Sequence, residues 1–104
     1  MMAALTPELA LARLGEFQRS VREAVVLDGA GNRLAGSPAV AEPARQLLSS
    51  TNAAELEVAT GRGVVYAART PRHAIAAVSS RGALPALMLY DMRQLLAELD
   101  GAKR

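Results

Sequence analysis

Residues 23–37 read EAVVLDGAGNRLAGS: a short apolar run closed by Asp28, then Gly29, Gly31 and Gly36 within eight positions. Glycines placed in this way after an apolar strand belong either to a phosphate-binding loop or to a hairpin turn, and the two lead to different folds. A dinucleotide fingerprint needs glycine at its first, third and sixth positions and must open a helix, because the pyrophosphate rests on that helix's N-terminal amides. Counting from Gly29 puts Gly31 third but Leu34 sixth, and the residues that follow, NRLAGSP, form a short extended stretch ending at Pro38. No lysine follows to hold a phosphate as in a Walker loop. Asp28, Gly29, Gly31 and Asn32 are residues that make Asx turns or accept positive φ, and they lie between two strand-like runs. The stretch reads as a β-hairpin.

Working outward, Ala24 and Val26 face one way and Val25 and Leu27 the other, so the strand at residues 23–28 is apolar on both faces and belongs inside a sheet. Upstream, Thr6, Pro7 and Glu8 supply a cap, a first-position proline and a first-turn acid. Ala10, Leu14, Phe17 and Val21 then fall at helical spacing, which predicts a helix from Pro7 to about Gln18 or Arg19. Downstream, SPAVAEPARQLLSS predicts a helix with Ser37 as its cap. Pro43 lies inside that stretch, so the helix is expected either to start near Pro43 and be short or to kink there. Residues 54–80 then predict three strands joined by tight turns at TGRG and TPRH. In the first, Glu55, Leu56, Glu57 and Val58 alternate strictly, the mark of a half-exposed edge; in the last, residues 73–79 are apolar on both faces. Pro85 opens a long final helix in which Leu84, Met88, Met92, Leu95 and Leu99 form a stripe, widened by Leu89 and Leu96 and ended by Gly101. Leu87 and Tyr90 lie off it, either as ordinary exposed residues or as a partner contact. The predicted class is α+β, in the order α-β-β-α-β-β-β-α, with strands 23–28 and 73–79 central and 32–36 and 55–59 at the edges.

Composition narrows the functions. At 104 residues the chain reads as one domain, residues 1–104 with a core from about 7 to 99, which buries only about 60 to 65% of the surface its unfolded chain exposes. Phe17, Tyr66 and Tyr90 are the only aromatic residues, so the core must be aliphatic and self-association would add useful burial. The absence of cysteine excludes a disulfide scaffold, cysteine-based metal sites and a thiol nucleophile. MMAALTPELALARLGEF has no basic start and is broken by Thr6, Pro7 and Glu8, so it reads as a capped helix and not as a secretory signal, and a cytoplasmic protein is expected. No apolar run reaches the roughly 18 to 20 residues of a membrane span, so no membrane insertion is expected. Net charge is only +2 and ten arginines are dispersed between Arg13 and Arg93, which reads as a solvated surface and not as a nucleic-acid footprint. The single histidine, His73, sits by a Thr-Pro turn, and Glu55 and Glu57 share one strand face without metal-ligand spacing. No catalytic, cofactor or metal site is expected, and the protein is read as not an enzyme.

The element order, with AVVLDGAGNRLAGS as its first hairpin, resembles the Roadblock/dynein light chain family over roughly residues 8–99. The resemblance implies a Roadblock/profilin-like fold: a five-stranded antiparallel sheet of order 2-1-5-4-3 with the first and last helices on one face and the middle helix on the other. It also implies a homodimer through the middle helix and the neighbouring edge strand, often as one ten-stranded sheet. Carried onto this sequence, the dimer contact would use Ala44, Leu47, Leu48, Leu56 and Val58. Independently, an edge strand with unpaired backbone groups is a liability that twofold pairing covers; the competing reading is that Glu55 and Glu57 keep a monomer's edge soluble. Bacterial members commonly act with a small Ras-like GTPase, so the resemblance makes Glu42, Arg45, Gln46 and Ser49 a partner platform, with Pro43 a departure from the pattern. The alternatives are a pure dimerisation or assembly module and a PAS-like or longin-like small-ligand sensor, which the aromatic-poor core disfavours.

Overall fold

The computed structural model describes residues 5–101, which form α1 (Pro7–Phe17), β1 (Val21–Asp28), β2 (Arg33–Gly36), α2 (Pro38–Ser49), β3 (Glu55–Thr60), β4 (Gly63–Arg69), β5 (His73–Ser79) and α3 (Pro85–Leu99). The strands make one antiparallel sheet in the order β2-β1-β5-β4-β3, as expected. Asp28 organises the first hairpin: its carboxylate accepts from the amides of Ala30 and Asn32, both at 2.9 Å, and from Asn32 Nδ2 at 3.1 Å. These bonds, those of Asn32 foremost, hold its pKa below the ordinary carboxylate value. Gly31 has φ of 90°, and a Cβ on Gly29 would lie 2.3 Å from the Pro71 carbonyl oxygen, so both glycines answer to backbone geometry.

The strand pleat sends alternate residues to opposite faces. On one face Val26, Tyr66, Ala68, Ile75 and Ala77 meet Leu14 of α1 and Met88, Met92, Leu95 and Leu96 of α3. On the other, Val25, Leu27, Ala67, Ala74 and Ala76 meet Val40, Ala41, Ala44 and Leu48 of α2. The alanines of β5 matter here, because small side chains let a helix approach the sheet on each side. A register shift between Val21 and Glu23 against β5 turns Val21 to the α1/α3 face alongside Ala24, which an unbroken strand would not allow.

Several expectations are corrected. Thr6 caps α1, accepting from the Leu9 amide at 3.1 Å, but the helix stops at Phe17, which is 53% exposed, and Val21 belongs to β1. Leu84 is 62% exposed because it is the extended residue before α3, where helical spacing no longer describes its direction. α2 runs through Pro43 from Pro38 to Ser49, neither shortened nor started there. Pro43 and Ala39 both lie on the exposed side, so the carbonyl that loses its helical donor is open to water. Ser37 occupies the N-cap position without a side-chain capping bond; its hydroxyl donates to Glu23 Oε1 at 2.6 Å.

Candidate interaction site on the second helix and third strand

β3 ends the sheet, paired to β4 on one side only, so its outer backbone groups have no strand partner. Opposite Ala67 and Val65 of β4, Leu56 and Val58 point to the α2 side, while Glu55 and Glu57 point to the helical layer, where Arg93 pairs with Glu55. α2 lies over β1 and β5 and leaves this part of the sheet uncovered. Leu56, Val65 and Val78 are half-buried there, and Val58 is 37% exposed.

The orientation of α2 decides which residues border that strip. Arg45 reaches the β1–β2 turn, donating to the Gly31 carbonyl at 2.9 Å. At about 100° per residue, Leu47 is turned some 200° from Arg45 and therefore faces the uncovered sheet. Leu47, Leu56, Val58, Val65 and Val78 thus border one apolar trough with an unpaired strand along its side. Ala44 and Leu48, which the resemblance assigned to the dimer contact, are 2% and 7% exposed and fill the protomer's own core instead. The stripe that packs on β1 and β5 has no surface left for a partner.

Of the platform residues, Glu42, Gln46 and Ser49 form the exposed outer face of α2, with Gln46 Nε2 3.4 Å from Glu42 Oε2. Arg45 is half-buried and already held by Gly31 and by Glu42, whose carboxylate it approaches to 2.6 Å. That pairing keeps the Glu42 pKa below its usual value.

Arg69 is a residue that sequence reasoning missed. From the end of β4 its guanidinium donates to the carbonyls of Leu48 at 2.7 Å, Ala53 at 3.0 Å and Thr51. It ties the end of α2 to the start of β3 and so fixes the geometry of the trough. No local pattern marks it, since its acceptors are backbone groups some twenty residues earlier in the chain.

His73 is not a solvated turn residue: its Nδ1 lies 2.6 Å from Asp100 Oδ1, with the two side chains 19% and 14% exposed. It fastens the end of α3 to the start of β5. Beside Arg69 lie two open depressions of about 500 and 290 Å³, lined mainly by the α2–β3 loop and by the β1–β2 and β4–β5 turns. Among the described residues no group of His, Asp and Glu is placed to hold a metal.

A five-stranded antiparallel sheet covered by helices on both faces, with one apolar edge left open, defines a class of small α+β domains. Its fold is that of Roadblock/LC7 domains. A Roadblock/LC7 domain from Streptomyces avermitilis superposes with a TM-score of 0.68 at 22% identity, covering 84% of this chain and 91% of that one. Myxococcus xanthus MglB gives 0.70 at 9% identity over 86% and 87%. A LokiProfilin2 in complex with rabbit actin gives 0.67 at 15% over 92% and 96%. No family model and no curated protein matches the sequence.

Proposed function

We propose that this protein is a homodimeric, non-enzymatic scaffold that binds a small Ras-like GTPase and modulates that partner's hydrolysis of GTP. The observation that carries the reading is the trough: apolar side chains of β3, β4 and β5 left uncovered beside an unpaired strand edge. A second copy related by a twofold axis supplies the missing strand and covers the apolar strip in one step, which a generic soluble edge would not need. The partner assignment rests on the likeness to the Roadblock fold, with the polar outer face of α2, Glu42, Gln46 and Ser49, as the platform. The paired domains hold the GTPase and position its own groups; no catalytic residue comes from this chain.

The test has two parts. Val58→Lys is expected to convert the dimer to a monomer by light scattering, because it places a charge in the trough; an unchanged dimer mass would move the contact elsewhere. Gln46→Arg is expected to keep the dimer and weaken the titration with a small Ras-like GTPase loaded with a GTP analogue. Equal affinity for the variant would remove α2's outer face from the platform. Arg45→Glu is a poorer probe, since it also breaks the bond to Gly31. Binding that ignores nucleotide state, or partners that are not GTPases, would favour the assembly-module reading. The depressions beside Arg69 are open to solvent and have no aromatic lining, which weighs against a ligand sensor.

A further inference from the structure

Four arginines from three separate segments of the chain meet at the end of the molecule opposite the first hairpin. The α1–β1 loop carries Arg19 and, just after it, Arg22; the β3–β4 turn carries Arg62; the β5–α3 loop carries Arg81. The backbone ties these segments together: Ser80 N donates to the Ser20 carbonyl at 3.0 Å, Arg22 Nη1 to the Arg62 carbonyl at 3.3 Å and Arg81 Nη2 to the Thr60 carbonyl at 2.7 Å. All four side chains are exposed. The arginine–carboxylate pairs among the described residues are Arg13–Glu98, Arg45–Glu42 and Arg93–Glu55, so none of the four is neutralised. The carboxylates Glu16, Glu23 and Asp91 lie near this end, and none of them is ion-paired with the four arginines: Glu23 accepts from the Ser37 hydroxyl and Asp91 from Gln18.

The same end is apolar. The Gln18–Asp91 bond, 2.6 Å, brings the end of α1 against the first turns of α3, so Phe17, Leu84 and Leu87 share it, at 53%, 62% and 53% exposure. Arginine and aromatic side chains are the residues enriched at protein contacts, and exposed apolar groups beside unpaired guanidiniums mark a docking surface. Two of the guanidiniums are pinned by backbone carbonyls, and a guanidinium held in place takes a carboxylate in a fixed, two-pronged geometry. A lipid surface needs no such fixed geometry. We propose that this tip is a second docking site, distinct from the β3 edge, for an acidic protein segment in which carboxylates alternate with large apolar side chains.

The experiment uses the full chain and a fluorescein-labelled peptide of alternating glutamate and leucine, read by anisotropy. Saturable binding is expected, weakening as salt rises. It should fall by roughly tenfold or more in Arg19→Glu/Arg62→Glu, whose side chains hold no other segment, and in Arg22→Glu/Arg81→Glu. A glutamate–serine peptide of equal charge should bind more weakly than the glutamate–leucine one. Unaltered melting of the first double variant separates loss of the site from loss of the fold. Absence of saturable binding, or equal affinity in the first double variant, would overturn the proposal. Tighter binding of phosphatidylglycerol vesicles or of duplex DNA than of the glutamate–leucine peptide would overturn it in favour of another anion.

Discussion

Arg69→Met tests the claim that one side chain sets the geometry of the interaction edge. The substitution keeps most of the apolar stem and removes every side-chain donor to Leu48, Thr51 and Ala53. Hydrogen bonds from a charged donor contribute about 1.5 to 3 kcal/mol each, but these carbonyls lie in a half-open loop where water replaces part of the loss, and the three act as one unit. A total near 3 kcal/mol follows, reinforced because the guanidinium sits at the C-terminal end of α2, whose last turn has no basic residue of its own. For a domain of this size that corresponds to a fall in Tm of about 12 °C or more. The assay is thermal unfolding by circular dichroism at one fixed protein concentration, because self-association would shift Tm by mass action. Arg69→Lys should lose nearly as much, since a single ammonium cannot span three carbonyls. A change of about 2 °C or less in the Met variant would refute the reasoning and leave the α2–β3 loop held by its own backbone.

Gly29→Ala should destabilise by about 1 to 3 kcal/mol, because the new Cβ meets the Pro71 carbonyl and one of the two turns must shift; urea unfolding with an unchanged midpoint would show that they move apart freely. Asp28 and Glu42 both have lowered pKa values in the fold, from 3.8 and 4.5. Stability from these bonds is therefore full above those unfolded values and lost as pH falls through the lower folded ones. Acid unfolding of Asp28→Asn should be shallower than that of the parent chain, and an identical acid profile would remove Asp28 from the account.

The parts of the fold legible in the sequence were those with a period. Strict alternation at residues 55–58 marked an edge, apolar runs on both faces at 23–28 and 73–79 marked the centre, and failed glycine spacing turned a phosphate loop into a hairpin. Patterns at the ends of elements misled: Phe17 and Leu84 fit helical spacing, yet one is the last residue of its helix and the other precedes its helix. Pro43 left a short helix and a kinked one both open, and of these the short one is excluded by the helix running from Pro38 to Ser49. The shared face of Leu56 and Val58 was readable from alternation, whereas the burial of Ala44 and Leu48 in the protomer core was not, because helix rotation is fixed by contacts such as Arg45 with Gly31. Arg69, the His73–Asp100 pair and the arginine tip depend on segments far apart in the chain.

The direction of β3 carries one more consequence. Its Thr60 end leads into the arginine tip and its Glu55 end into the Arg69 loop. Two copies joined edge to edge by antiparallel pairing would therefore place their tips at opposite poles of a ten-stranded sheet. No single flat surface would reach both, and one chain gripping a tip would leave the other pole free. Such a particle would be a connector with two outward sockets, able to hold two like molecules at a spacing set by the span of its strands.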